Sequence, residues 1–296
     1  MSDKEKTAIE RLQFASEMSM QLYKLPLLIG DSGGKDSAVI CRLAENAGIP
    51  FEIVHSHTTA DAPETVRHVR KRAKEYEEKG FRYTIKYPTY KGQPISMWSL
   101  IVAKKIPPTR MARYCCDVLK ETAGKGRFMT TGVRWAESSK RKTSRAALEI
   151  LGSKAENKIL LNNDNDEDRR LFETCQMKGK RIVNPIVDWS TDEVWEYIRD
   201  QKLELDPGYS CGFSRRGCVG CPLASKKNRQ REFAQYPKYM QMYINTFERM
   251  VEARREAGEK ARPGDFWVDG KAVFNWWMEY DNVLPGQIEL FEEGAD

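Results

Sequence analysis

Apolar positions recur along the chain with two periods, and the two alternate. Ile9, Leu12, Met18 and Leu22 fall at roughly helical spacing, which predicts a leading helix over residues 1–24. Leu25-Pro-Leu-Leu-Ile-Gly30 is a short apolar run and predicts a buried strand. The glycine turn Asp31-Ser-Gly-Gly-Lys-Asp-Ser37 follows, and Ala38–Ala47 reads as a helix stopped by Gly48 and Pro50. Phe51–His55 is a second strand. Pro63 opens a charged helix that runs to about Glu78 and ends at Gly80. Phe81–Lys86 and Arg127–Thr131 are further strands, and Asn184–Val187 returns to the sheet or its edge. Between them, residues 136–180 are polar, with a basic run at Lys140-Arg141-Lys142 and an acidic run over 162–170. Exposed loop and short helix are expected there. Ser190-Thr-Asp-Glu193 is a capping box that starts a helix through Val194, Trp195, Tyr197 and Ile198. The pattern is helical again from Ser225 to about Ala257, and Phe274, Trp276, Trp277 and Tyr280 suggest a last packed helix.

Strand alternating with helix at this spacing predicts an α/β protein with a Rossmann-like, doubly wound parallel sheet and a helical C-terminal segment. The linear division is a leading helix at 1–24, a sheet-forming region at 25–224 and a helical cap at 225–296. With 40% hydrophobic and 31% charged residues, the 296-residue chain can bury a core, which excludes wholesale disorder. Mean hydropathy is −0.65. No apolar run approaches the ~18 residues of a membrane span. Met1-Ser-Asp-Lys-Glu-Lys does not resemble a signal peptide, so the chain reads as soluble and cytoplasmic. A net charge of +6 helps attract an anion without choosing among nucleotide, phosphate and nucleic acid.

The candidate chemistry lies in two places. Ser32, Gly33, Gly34, Lys35, Asp36 and Ser37 join a strand to a helix. Glycines there permit close approach of backbone N–H groups to an anion, and the helix N-terminus adds partial positive charge. The two serines offer hydroxyls and Lys35 a cation. The spacing is not that of a Walker A loop. Arg134 directly follows a strand end and can grip an oxyanion with two hydrogen bonds. Arg141 could do the same, although its basic run also reads as a solvated face. His55 falls on the strand's alternation, as a structural histidine would.

The second place is a set of thiols. Cys115 and Cys116 are adjacent, and Cys218 and Cys221 form a C-x-x-C. Without a secretory context, clustered thiols suggest metal or redox chemistry. Four soft ligands suit zinc or an iron–sulfur cluster, and adjacent cysteines fit one tetrahedral ion less easily. Cys211 competes for a ligand position, Cys41 reads as a buried small hydrophobe, and Cys175 has no assigned partner.

The Ser32–Ser37 hexapeptide resembles the pyrophosphate loop of the adenine-nucleotide α-hydrolase superfamily, Ser-Gly-Gly-x-Asp-Ser. His57-Thr-Thr-Ala-Asp-Ala-Pro-Glu-Thr65 resembles the Asp-Thr-Gly-x-x-x-Pro-Glu-Thr segment of phosphoadenylyl-sulfate (PAPS) reductases, with the Asp-Thr-Gly part altered. Thr131-Gly-Val-Arg-Trp-Ala-Glu-Ser138 and Asn184–Ile198 are similar to two further family segments. The resemblance spans about residues 25–225. It implies ATP or an adenylyl nucleotide on the loop, with Lys35, Asp36 and Arg134 in catalytic roles, Arg141 as a further contact and Mg²⁺ with Asp36 as a ligand. The Cys-Cys…Cys-x-x-Cys pattern resembles that of adenylyl-sulfate reductases, which implies a 4Fe–4S cluster on Cys115, Cys116, Cys218 and Cys221.

No cysteine follows Cys221, whereas the family's sulfonucleotide reductases use a nucleophilic cysteine near the C-terminus. The expected function is therefore an ATP pyrophosphatase-type sulfurtransferase that activates an acceptor for thiolation. The alternatives are a sulfonucleotide reductase with an unusual nucleophile such as Cys211, and a non-catalytic nucleotide-binding subunit of a sulfur or nucleic-acid-modifying complex. Expected partners are the nucleotide and a nucleic-acid or sulfur-carrier acceptor. No membrane partner is expected, and a homo-oligomer is allowed.

Overall fold

The structure is a computed structural model that describes residues 2–120, 122–124, 126–151, 158–161, 180–259 and 267–279. The acidic run, Cys175 and Tyr280 lie outside the described residues. The chain forms two compact units. The first contains residues 1–57, 62–87 and 121–217, and the second residues 58–61, 88–120 and 218–296.

The first unit is built on a seven-stranded sheet. Its strands are β1 (Leu27–Gly30), β2 (Phe51–Ser56), β3 (Arg82–Lys86), β6 (Phe128–Thr130), β7 (Leu148–Leu151), β8 (Lys158–Leu161) and β9 (Lys180–Val183). The order is β3-β2-β1-β6-β9-β7-β8. The first five are parallel to their neighbours, and β7 pairs antiparallel with both β9 and β8. The chain leaves β1 toward β2 and β3, then returns to β6 on the other side of β1. That reversal makes a topological switch point at the carboxyl ends of β1 and β6, where open α/β sheets bind ligands.

Four helices pack with one core. They are α1 (Asp3–Tyr23), α2 (Lys35–Asn46), α3 (Pro63–Glu78) and α7 (Thr191–Asp200). Leu12 and Met18 of α1, Val39 and Leu43 of α2, Val69 and Tyr76 of α3 and Val194 and Ile198 of α7 join Leu27, Ile29, Phe51, Ile53 and Phe128 of the strands. Leu28, Val54 and Met129, one residue out of phase, form a second cluster with Ala123. This is the period-two alternation of a sheet. Pro63 at the first turn of α3 and the Ser190–Glu193 capping box both form as the sequence predicts.

Three sequence readings change. Leu22 is exposed and does not join the core face of α1. The strand placed at Asn184–Val187 lies earlier, at Lys180–Val183, because Pro185 cannot donate to a ladder. The region read as exposed loop contributes α6 (Ser139–Ser144) and the pair β7 and β8, which extend the sheet.

The second unit is mostly helical. It holds the short pair β4 (Thr89–Tyr90) and β5 (Gln93–Pro94), then α4 (Met97–Lys104), α5 (Tyr114–Leu119), α8 (Lys226–Gln235), α9 (Pro237–Glu256) and α10 (Gly270–Glu279). The helix expected over 225–257 is two helices, broken where Pro237 starts the second. Its core is aromatic: Phe233, Tyr243, Phe247, Phe274 and Trp277 are all buried. Trp277 donates its Nε1–H to Pro108 O at 2.6 Å. The C-terminal tryptophan thus serves packing, as its spacing predicts. Among the described residues, no helix is long and apolar enough to cross a membrane.

Candidate functional site

The phosphate loop begins where β1 ends. Asp31 is buried behind it and organises it. Its carboxylate accepts from the Gly33 N–H at 2.7 Å, the Ser37 hydroxyl at 2.8 Å, Arg72 Nη1 at 3.2 Å and the Tyr83 hydroxyl at 2.7 Å. Burial disfavours the charge on Asp31. The Arg72 guanidinium, the Tyr83 hydroxyl and the Gly33 amide outweigh burial and hold its carboxyl below the usual carboxylate range. Gly33 adopts φ +75°, a left-handed turn that suits glycine. Gly34 is the residue before α2, so the first amides of that helix, which lack partners within the helix, open at the loop. The Lys35 N–H donates to the Tyr209 hydroxyl at 2.9 Å.

Two cations meet on Asp36. Lys35 Nζ lies 2.9 Å from one carboxylate oxygen, and Arg134 Nε lies 2.8 Å from the other. Arg134 is 2% exposed and also reaches Trp189 O and the Thr191 hydroxyl. Asp36 thus holds both cations at the loop, one on each carboxylate oxygen. Gly132 makes the approach possible, because a Cβ there would lie 3.0 Å from Asp36 Cβ and 3.3 Å from its backbone carbon. Arg141 pairs with Glu137. Burial lowers the pKa of Arg141, and the neighbouring charges of Arg215, Arg145 and Arg134 lower it further, while Asp36 opposes them. Ser32 is the exposed hydroxyl of the loop, and Ser37 the buried one. His55 is buried and its Nδ1 lies 2.9 Å from Asp31 O, a structural contact.

The four paired cysteines all fall in the second unit. Cys115 and Cys116 open α5. Cys218 forms an isolated antiparallel bridge with Asp61, and its Sγ lies 3.3 Å from the Thr58 hydroxyl. The Cys221 N–H donates to Cys218 O at 3.2 Å, which closes the C-x-x-C turn. Gly220 supplies φ +72°, and a Cβ there would lie 2.4 Å from the Phe233 ring. The Cys115 thiol donates to Cys116, which raises Cys115 and lowers Cys116, and the Arg113 guanidinium and Lys120 ammonium lower Cys116 further. Cys115 senses the charges of Cys218 and Cys221. A closed zinc tetrahedron would place all four sulfurs within about 3.8 Å of one another, given Zn–S ≈ 2.3 Å. Among the described residues, no three of these sulfurs lie within 4.8 Å of one another. Four thiols in one unit are the donor chemistry of either zinc or an iron–sulfur cluster. Cys211 lies in the first unit and is exposed. Cys41 is buried, and burial pushes its thiol up to about 12.

A protein-family model described as the phosphoadenosine phosphosulfate reductase domain matches residues 27–224. The chain belongs to this family. An uncharacterized protein of Methanocaldococcus jannaschii is 25% identical over 263 residues, 86% of this chain and 46% of that protein. The chain thus spans about half the length of that curated relative. Among solved structures, PAPS reductase from Candida auris aligns with a TM-score of 0.48 and 17% identity, over 72% of this chain and 88% of that one. The U34-tRNA thiolase of Methanococcus maripaludis, solved with its 4Fe–4S cluster, aligns with a TM-score of 0.42 and 13% identity, over 84% and 80%.

In this PAPS reductase-domain chain, sequence reasoning missed Asp31, Arg72, Tyr83, Tyr209 and the clamp beneath Tyr209. In that clamp Arg216 pairs with Asp206 at 2.9 Å and donates to the Thr65 hydroxyl at 3.1 Å. Arg72 carried a signal: it falls among Val69, Ala73 and Tyr76, on the buried stripe of α3. A cation there needs a buried anion, and Asp31 supplies it.

Proposed function

We propose that the loop from Ser32 to Ser37 binds the phosphates of an adenine nucleotide and that the protein is an ATP pyrophosphatase-type sulfurtransferase. One observation carries the reading. Two cations, Lys35 and Arg134, converge on a single carboxylate at the N-terminus of α2. That leaves an excess positive charge beside the helix amides, where a polyphosphate is stabilised. Ser32 and the helix amides hold phosphate oxygens. Lys35 and Arg134, kept in place by Asp36, stabilise the charge that grows on pyrophosphate as the α–β bond breaks. The acceptor takes the adenylyl group and becomes open to attack by sulfur. Asp36 acts as a positioning residue.

Cys115, Cys116, Cys218 and Cys221 would hold a 4Fe–4S cluster, which supplies electron-rich iron and sulfide able to carry sulfur. This chain's own contribution there is the turn at Gly220, the Thr58 hydroxyl beside Cys218 and the cations beside Cys116. The acceptor on this reading is a nucleic acid or a sulfur carrier.

The family match favours a second reading, reduction of a sulfonucleotide. One experiment separates the two. Cluster-replete, reduced protein is incubated with ATP and candidate acceptors, and pyrophosphate is measured. Parallel samples receive adenylyl sulfate or PAPS with a thiol donor, and sulfite is measured. Acceptor-dependent pyrophosphate without sulfite is expected. Catalytic sulfite release that is lost in Cys211→Ser would establish the reductase instead.

A further inference from the structure

The first amides of a helix have no partner within the helix, which is why anions bind there. In this protein one of them is already taken. The Lys35 N–H, the first of α2, donates to the Tyr209 hydroxyl at 2.9 Å. Gly34 lies under the same hydroxyl, and a Cβ at Gly34 would stand 3.4 Å from it. A neutral side-chain oxygen thus occupies a position that the nucleotide reading gives to a phosphate oxygen.

Tyr209 is not a loose side chain that happens to reach the loop. It ends a 3₁₀ turn, Pro207–Tyr209, whose cap Asp206 accepts from the Gly208 N–H at 2.7 Å. Asp206 is buried and is held by Arg216 at 2.9 Å and by the Thr65 hydroxyl. Gly208 has no room for a side chain, since a Cβ would come within 2.4 Å of the Arg216 guanidinium. The Tyr209 ring meets Trp195 of α7 edge-on, with centroids 5.6 Å apart at 86°. The ring is only half-buried. The turn is therefore fixed at its base, and the phenol at its tip is held by one amide and one ring contact.

We infer that Tyr209 is a displaceable cap on the phosphate loop: its hydroxyl holds the Lys35 amide in the free protein and yields it to a phosphate oxygen when the ligand enters. This inference rests on the nucleotide reading of the loop. The exchange is favourable because a charged phosphate oxygen accepts a hydrogen bond about twice as strongly as a neutral one. The cap keeps the amide satisfied when no ligand is bound and sets a threshold that a weak anion does not cross. Thr65, from the Pro-Glu-Thr segment, acts through Asp206 as a positioning residue for the cap.

The test compares the full-length protein with Tyr209→Phe, which keeps the ring and removes the hydroxyl. Inorganic pyrophosphate and ATP are titrated into each by calorimetry. A net hydrogen bond of about 0.5–1.5 kcal/mol lost only from the free state should tighten both ligands by about twofold to tenfold. The unliganded variant should at the same time melt lower than wild type, the opposite direction to its affinity. A second readout is tryptophan emission. Pyrophosphate should change it in wild type, and Trp195→Phe should remove most of that change. Equal or weaker binding by Tyr209→Phe, with wild type binding normally, overturns the cap and leaves the nucleotide reading standing. Binding by the variant alone supports the cap. Failure of both proteins to bind either ligand overturns the cap together with the nucleotide reading.

Discussion

Replacing Asp31 with Asn tests whether the phosphate loop is organised from behind. The carboxylate accepts from four donors, two of them in the loop, at Gly33 and Ser37, and two beneath it, Arg72 and Tyr83. Asparagine keeps one acceptor oxygen and turns the other position into a donor that faces donors. It also leaves Arg72, 6% exposed, without its counter-ion. Removing one partner of a buried pair costs about 3–5 kcal/mol, a large part of the stability of an ordinary domain. With an m-value on the order of 3 kcal/mol/M, the urea midpoint of the first unit should fall by about 1–1.7 M. Arg72→Met should cost a similar amount, and the double variant should cost clearly less than the sum. The pH dependence follows from the lowered Asp31 pKa. Its stabilising contribution is complete above the unfolded value near 3.9 and is lost as pH falls through the lower folded value. Wild type should therefore lose stability below about pH 4, and Asp31→Asn should lack that part of the loss. A midpoint change worth less than about 1 kcal/mol, or strict additivity in the double variant, would refute the reasoning.

Three further outcomes follow from named contacts. Gly132→Ala should cost about 1–3 kcal/mol by overpacking and weaken pyrophosphate binding severalfold, because the new Cβ would press on Asp36; unchanged binding in calorimetry would show that the Asp36 arrangement is irrelevant to the anion. Cys218→Ala should lose most of the iron bound on anaerobic reconstitution, whereas stoichiometric zinc without iron or sulfide in the wild-type protein would reject the cluster. Gly270→Ala would put a Cβ 2.3 Å from Ile244 O and 2.5 Å from the Glu248 amide, so α10 must shift off α9; proteolysis should then release the C-terminal segment sooner, and a wild-type rate would refute that packing.

Most of the parallel sheet was legible because its signals are local. An apolar run, a glycine turn and a helix stop each sit within a few residues, and β1, β2 and α3 formed within two residues of their predicted bounds. The strands at the far edge were not legible. β7 reads Leu-Glu-Ile-Leu, and its Glu149 is completely buried. A glutamate at that depth looks like loop until its partners are known: Arg145 at 2.8 Å and the Asn184 amide at 2.7 Å. β9 begins Lys-Arg and stops before Asn-Pro, so the apolar pair after the proline drew the strand four residues too late. The same reason hid half of the candidate site. Ser32–Ser37 is contiguous and carries its own pattern, but Asp31, Arg72 and Tyr83 are ordinary polar residues until the sheet brings them together.

The charges gathered at the loop match the multiply charged ligand of the proposed nucleotide reading. Asp31 and Arg72 neutralise each other behind it. Among the described residues, Lys35 and Arg134 share the single carboxylate of Asp36, which leaves one positive charge there, beside a helix end worth about half a charge more. Sulfate or a single phosphate would cancel that excess. A triphosphate carries more charge than the excess can balance and needs a further cation. Arg141 is a candidate on electrostatic grounds, since burial and the charges of Arg215, Arg145 and Arg134 all disfavour its own charge while Asp36 favours it. Cations crowded in this way repel one another until an anion arrives, and the anion's binding is strengthened by the repulsion it relieves. Arg141 is held meanwhile by Glu137, four residues earlier, in a half-exposed pair that contributes little to stability. On the proposed nucleotide reading, exchanging that pair for a phosphate would cost little, so Arg141 would follow the ligand while the buried Arg134 stays in place.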